Sequence, residues 1–157
     1  MSVVRAEAPA EEASADPYVV LGWSSRAARP GLSAPWRRRA RLVAEALFST
    51  DDGPPPAARL DWLEEDLGDF FGHLGRRSRL VFVACLATIY FVAPLLAWRL
   101  CTLGALDWRA RVHAIERLER SALSIALLGA KAILSIVYFE HPDAAREIGW
   151  TQQCKLS

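Results

Sequence analysis

The spacing of apolar residues divides the chain into stretches of different character. Residues 1–17 (MSVVRAEAPAEEASADP) show no apolar periodicity and are dominated by alanine, glutamate, serine and proline. Such a segment buries too little apolar surface to offset the entropy of ordering it. Residues 1–35 therefore read as a flexible tail, disordered when free or wrapped on a partner. Inside it Tyr18, Val19, Val20, Leu21 and Trp23 form an apolar patch that packs on the chain's own domain or on another surface.

From Trp36 the pattern turns helical. Leu42, Val43, Leu47 and Phe48 share one face of a helix whose start, Trp36-Arg37-Arg38-Arg39-Ala40-Arg41, reads as solvated arginines. The run Asp51-Asp52-Gly53-Pro54-Pro55-Pro56 marks a loop and a new helix start. Asp supplies acceptors for free backbone N–H groups, and Pro lacks the N–H that would go unpaired in a first turn. Leu60, Leu63, Leu67, Phe70, Phe71 and Leu74 then line one stripe, with Asp61, Glu64, Glu65 and Asp69 on the solvated side. Gly72, Gly75 and the arginines 76, 77 and 79 end that helix.

The next stretch, Leu80 to Trp98, holds 19 residues without a charge. As a helix it spans about 28 Å, close to the hydrocarbon thickness of a bilayer. Its Leu, Ile, Val and Phe residues favour insertion by about 3–6 kcal/mol. Pro94 is expected to kink or end the helix about one turn early. Arginines flank both ends, so charge sets no orientation. Asp107 is the expected N-cap of a second long helix, with Trp108, Val112, Ile115, Leu118 and Ala122 on its first apolar face. From Ser121 to Phe139 that helix becomes almost wholly apolar. Lys131 interrupts it near the middle, at about 2.5–3.5 kcal/mol in a bilayer, unless it pairs with a carboxylate or snorkels. Pro142 reads as a first-turn residue and Gly149 as the stop of a short last helix. No strand or hairpin signal stands out. The expected fold class is all-α: a small helical domain over residues 36–152 with two long, very apolar helices, then a tail over 153–157.

Composition narrows the function. The 157 residues are 52% hydrophobic and 24% charged, which excludes a wholly disordered chain. A net charge of +1 excludes a strongly basic nucleic-acid binder. Arginine outnumbers lysine 17 to 2, as a GC-rich coding sequence would produce. Cys85, Cys101 and Cys154 are too few and too scattered for a disulfide framework. The arginine run invites a twin-arginine export reading. Glu45, Asp51 and Asp52 interrupt the apolar stretch after it too early, so that route is not supported.

No catalytic centre is visible. Gly72-His73-Leu74-Gly75 follows an amphipathic helix rather than a strand, so it lacks the context of a phosphate-binding loop. His73, His113 and His141 are far apart and lack Cys partners at metal-ligand spacing. Asp61, Glu65 and Asp69 lie at one-turn spacing without a histidine, a weak metal pattern. His113 reads as a partly exposed helix residue and His141 as a helix cap. What remains is a surplus of apolar surface. Helices apolar on nearly all sides must be covered all round, and a domain this small covers them only in part. Lipid or a partner must cover the rest. Leu80, Phe82, Leu86, Ile89, Phe91, Leu95 and Trp98 are the candidate membrane or apolar-interface residues.

The run Arg117-Leu118-Glu119-Arg120-Ser121, then Leu128-Gly129-Ala130-Lys131-Ala132-Ile133-Leu134, Tyr138-Phe139 and Ile148-Gly149-Trp150, resembles the small subunit of the gluconate dehydrogenase type. The segment Ala44-Glu45-Ala46-Leu47-Phe48 before Asp-Asp-Gly-Pro resembles the early helix of that family. The resemblance spans residues 36–152 and is strongest over 115–150. It implies a non-catalytic accessory subunit packed on a larger flavin-dependent oxidoreductase of the glucose–methanol–choline class, acting on an alcohol, sugar acid or sterol. FAD would sit in the partner, with no cofactor in this chain. The residues expected at that interface are Trp23, Tyr138, Phe139, His141, Pro142, Ile148 and Trp150. Without an export signal, the expected location is the cytoplasm or the cytoplasmic face of the inner membrane. The alternative is an integral membrane hairpin in which residues 80–98 and 121–139 both span, with no flavoprotein partner.

Overall fold

A computed structural model describes residues 31–149, and the fold is all-α. Six α-helices follow one another: α1 (Ala34–Leu47), α2 (Ala57–His73), α3 (Arg76–Leu96), α4 (Trp108–Glu119), α5 (Ser124–Glu140) and α6 (Pro142–Glu147). A 3-10 turn at Leu103–Ala105 lies between α3 and α4. Among the described residues the sole extended pairing is an isolated bridge between Thr50 and Gly53. Tyr18 to Trp23, Trp150 and Cys154 lie outside the described residues.

One core joins all six helices. Val43, Leu63, Leu67, Phe71, Phe82, Leu86, Ile89, Leu118, Leu134 and Val137 are fully buried in it. Phe71 of α2 stacks on Phe82 of α3 at 4.7 Å between ring centres. The stripe expected on α2 is the one that packs: Leu60, Leu63, Leu67 and Phe71 are buried. On α1 small residues carry the contact instead, with Ala40, Ala44 and Ala46 buried beside Val43. Alanine lets helix backbones approach closely, so Leu42 and Leu47 are left at the margin.

The domain begins earlier than expected. Residues 31–35 belong to it rather than to a tail. Leu32 is in the core, and Gly31 lies against α2 at Gly68. A Cβ on residue 31 would stand 2.1 Å from the Gly68 carbonyl oxygen, so only glycine allows this crossing. The Gly31 carbonyl accepts a 3.4 Å hydrogen bond from Arg79.

Helix ends follow the local chemistry. The Asp107 carboxylate accepts from the Ala110 N–H at 2.9 Å and caps α4. His141 caps α6 through Nδ1, which accepts from the Asp143 N–H at 3.2 Å, and Pro142 takes the first helical position. Gly149 follows α6 with φ +73°, a conformation glycine adopts freely. The expected second long helix is two helices. Ser121 breaks it: its hydroxyl donates to the Leu118 carbonyl at 2.7 Å and accepts from the Leu123 N–H at 3.1 Å. Serine competes in this way for backbone partners and so favours a turn. The apolar helix after the break, α5, is 17 residues long, about 26 Å.

Two arginines of α1, Arg39 and Arg41, are engaged rather than merely solvated, while Arg38 is exposed. Arg39 lies over the rings of Trp36, Tyr90 and Phe91, at 4.5, 5.2 and 5.9 Å from their centres. Arg41 pairs with Asp61 at 2.8 Å, joining α1 to α2. Arg111 of α4 pairs with Glu45 of α1 at 2.5 Å, and its Nε donates to the Leu106 carbonyl. Arg59 of α2 holds Glu147 of α6 through two hydrogen bonds of 2.7 and 2.6 Å.

Candidate docking surface

Helix α3 presents two apolar faces. Its inward face is Phe82, Leu86, Ile89, Ala93 and Pro94, all buried. Its outward face is Leu80, Val81, Ala84, Phe91 and Leu95, all exposed. The spacing 81, 84, 88, 91, 95 is one helical stripe, in which Thr88 hides its hydroxyl by donating to the Ala84 carbonyl at 3.0 Å. By length and composition α3 is long enough and apolar enough to cross a membrane, and only 28% of its apolar stretch is buried. Helix α5 repeats the arrangement. Leu127, Ala130, Leu134, Val137 and Tyr138 face inward, while Ile125, Leu128, Ala132 and Ile136 face outward. Gly129 of α5 abuts Cys85 of α3, where an added Cβ would lie 3.4 Å from the sulfur. The outward stripes of the two helices therefore adjoin and form one apolar surface.

The surface ends in an exposed tip. The chain leaves α3 with Trp98 at φ +58°, 87% exposed, followed by Arg99 and a 97% exposed Leu100. The Arg99 N–H donates to the Pro94 carbonyl, and the Trp98 N–H to the Leu95 carbonyl. This is the Schellman closure of a helix, with tryptophan in the left-handed position that usually holds glycine.

These placements sort the expected interface residues. Phe82, Leu86 and Ile89 are corrected: they form the protein's own core and face no external surface. Leu80, Phe91, Leu95 and Trp98 are on the outside. Tyr138 is also a core residue, stacked on Phe48 at 4.1 Å. Phe139 is half-buried with its ring edge-on to Phe48 at 6.0 Å. His141 is occupied as the α6 cap and meets the Trp62 ring edge-on at 5.4 Å. Pro142 and Ile148 are exposed at the α6 corner. Trp23 and Trp150 lie outside the described residues.

Val81, Ile125, Leu128, Ile136 and Leu100 were missed by reading the sequence. On a helix apolar all round, the pattern does not say which side meets the core. For α5 one signal was present: Lys131 has to leave the core, and it marks the outward side. Lys131 is half-exposed, 3.9 Å from Glu119 of α4.

No catalytic assembly is found among the described residues, and no three His, Cys, Asp or Glu side chains gather as a metal site there. His73 Nδ1 lies 2.9 Å from the Asp69 carbonyl oxygen, and His113 is exposed, 3.8 Å from Glu116. An open cleft of about 570 Å³ is lined by Ser49, Thr50, Asp51, Trp108, Arg109, Val112 and Glu116. The Ser49 hydroxyl in it donates to the Glu45 carbonyl at 2.6 Å. Burial pushes the Asp66 carboxyl up, with help from the charge of Asp69. Burial, and then the charge of Asp66, push Glu140 up. These groups stand where α2 meets the end of α5, outside that cleft.

Comparison with protein-family models, with characterised proteins and with solved structures finds no match.

Proposed function

We propose that this chain is a non-catalytic accessory subunit that binds a larger flavin-dependent oxidoreductase and seats it at a membrane. The observation that carries this reading is the continuous apolar surface of α3 and α5, which the folded domain leaves uncovered. Exposed apolar areas of this extent belong to proteins that meet another protein or lipid. The resemblance to the gluconate dehydrogenase small subunit supports a flavoprotein of the glucose–methanol–choline class as the partner, with FAD held there. The α6 corner, with Pro142 and Ile148 exposed, is the proposed contact with that partner. The cytoplasmic face of the inner membrane is the proposed location.

The experiment is a pull-down of the tagged chain from gently solubilised native cells, read by flavin absorbance and by the mass of co-eluting protein. A yellow complex with a larger second chain is expected. A colourless chain, alone in detergent, overturns the flavoprotein reading.

A second reading, the membrane hairpin, draws on the length and apolar character of α3. The packing weighs against it. Helix α4 lies against α3 and carries Arg109, Arg111, Glu116, Arg117 and Glu119. A spanning α3 would draw these charges into hydrocarbon, at about 2.5–3.5 kcal/mol for each one left at the centre.

A further inference from the structure

We propose that the α3–α5 surface lies in the plane of a membrane rather than across it, and that it selects anionic lipid, with Trp98 and Leu100 as its inserted tip. The inference rests on the membrane half of the proposed function and is independent of the flavoprotein half.

Charge placement identifies the occupant. Between residues 76 and 106 the chain holds arginines and no acidic residue. The loop from α4 to α5 has none either, and α5 has only its last residue, Glu140. The acids are concentrated on α2 and the loop before it, at Asp51, Asp52, Asp61, Glu64, Glu65, Asp66 and Asp69. The α3 half of the apolar surface therefore has cationic ends, Arg76 and Arg77 at the start of α3 and Arg99 beside the tip, while the α5 half is bordered by Glu119, paired with Lys131, and closes at Glu140. All three arginines are exposed, and no ion pair among the described residues engages them. An apolar α3 stripe with arginine at both ends and no carboxylate along it complements a layer of lipid tails under anionic headgroups. A second copy of this surface would set arginine against arginine wherever like ends met.

The tip supplies the second observation. A tryptophan in the left-handed backbone region is a conformation that bulky residues seldom adopt. Here it holds the indole and Leu100 clear of the domain, beside Arg99. An indole next to an arginine suits the boundary between tails and headgroups, where one side of the ring is apolar and the other wet. The charged α4 behind α3 keeps the insertion shallow, because only the outward stripes are free of charge apart from Lys131.

The test is flotation of the full chain with vesicles of phosphatidylcholine alone and of phosphatidylcholine with phosphatidylglycerol. Two variants accompany it, W98S/L100S and R76Q/R77Q/R99Q. The altered side chains are exposed, and far-UV circular dichroism checks that both variants remain helical. The parent chain is expected to bind the anionic vesicles, and added salt to weaken that binding. W98S/L100S should bind about tenfold or more weakly, because it removes the apolar tip. R76Q/R77Q/R99Q should lose about a hundredfold and much of its salt dependence. Undiminished binding by folded variants, or no binding of the parent to either vesicle, overturns the proposal. So does a dimer of the parent in buffer that W98S/L100S converts to monomer, which would assign the surface to a second copy. The pull-down reports separately on the flavoprotein, so failure of one reading is distinguishable from failure of the other.

Discussion

Trp98 sits where stability and contact pull in opposite directions. The Schellman closure needs a residue with positive φ, and glycine takes that conformation without steric cost. Tryptophan is strained there, and its 87% exposure returns little packing energy. Trp98→Gly is therefore expected to leave stability unchanged or raise it by up to about 1 kcal/mol. The same change should weaken vesicle binding. Urea titration and flotation check the two halves together. A loss of more than about 2 kcal/mol would mean that the indole packs on the fold, a cost typical of lost core contacts. The tryptophan and its neighbours were readable in the sequence, and so was the helix end near Pro94. The positive φ was not, since it follows from how Pro94 and Leu95 place their carbonyls at the helix terminus.

Helices are joined here by a few half-buried ion pairs, which respond to substitution differently from surface pairs. Arg111 and Glu45 keep 13% and 20% of their side-chain exposure, and they connect α4 to α1. Glu45→Ala would leave the guanidinium largely enclosed with only the Leu106 carbonyl as partner. The expected loss is about 2–3 kcal/mol, measured by chemical denaturation. Asp143→Ala, in an exposed pair within α6, should cost about 0.5 kcal/mol or less.

Where α2 meets α5 the sign reverses. Asp66 has a folded-state pKa above its unfolded value, chiefly through burial and then through Asp69. Its folded form binds a proton more readily, so its charge destabilises the fold at neutral pH. Asp66→Asn is expected to raise the melting temperature near pH 7. That gain should fade as pH falls through the raised value toward about 4, where the native carboxyl is also neutral. A gain that grows on acidification would contradict this. Glu147 is the opposite case. Arg59 holds its carboxyl low, so its contribution is present above the ordinary carboxylate range and is lost as pH falls through its lowered value. The stripe of α2 and the caps at Asp107 and His141 were legible because each depends on residues within one or two turns. The break at Ser121 had a local cause as well. It was hidden by the apolar pattern that continues on both sides of it.

At the scale of the whole molecule, in-plane contact and membrane crossing make different demands. If α3 lay across a sealed vesicle, Arg76 and Arg77 would face one compartment and Arg99 the other. If it lies in the plane, both groups remain on one side. Trypsin added to sealed inverted membrane vesicles is therefore expected to cut at both ends of α3 and leave no protected fragment. A protected fragment beginning or ending near α3, located by mass spectrometry, would support crossing.

The sequence alone determined the helical class, most of the helix starts and stops, and the presence of more apolar surface than so small a domain can bury. Those features arise from spacing along one segment and from residues that cap or break it. Which half of each apolar helix enters the core was settled by packing between helices. Phe82, Leu86 and Ile89 go inward while Val81, Phe91 and Leu95 stay outside, although both sets read alike. The physical reason is that burial belongs to a pair of surfaces. When a helix is apolar on every side its own pattern gives no preferred face, and the position of its neighbours makes the choice.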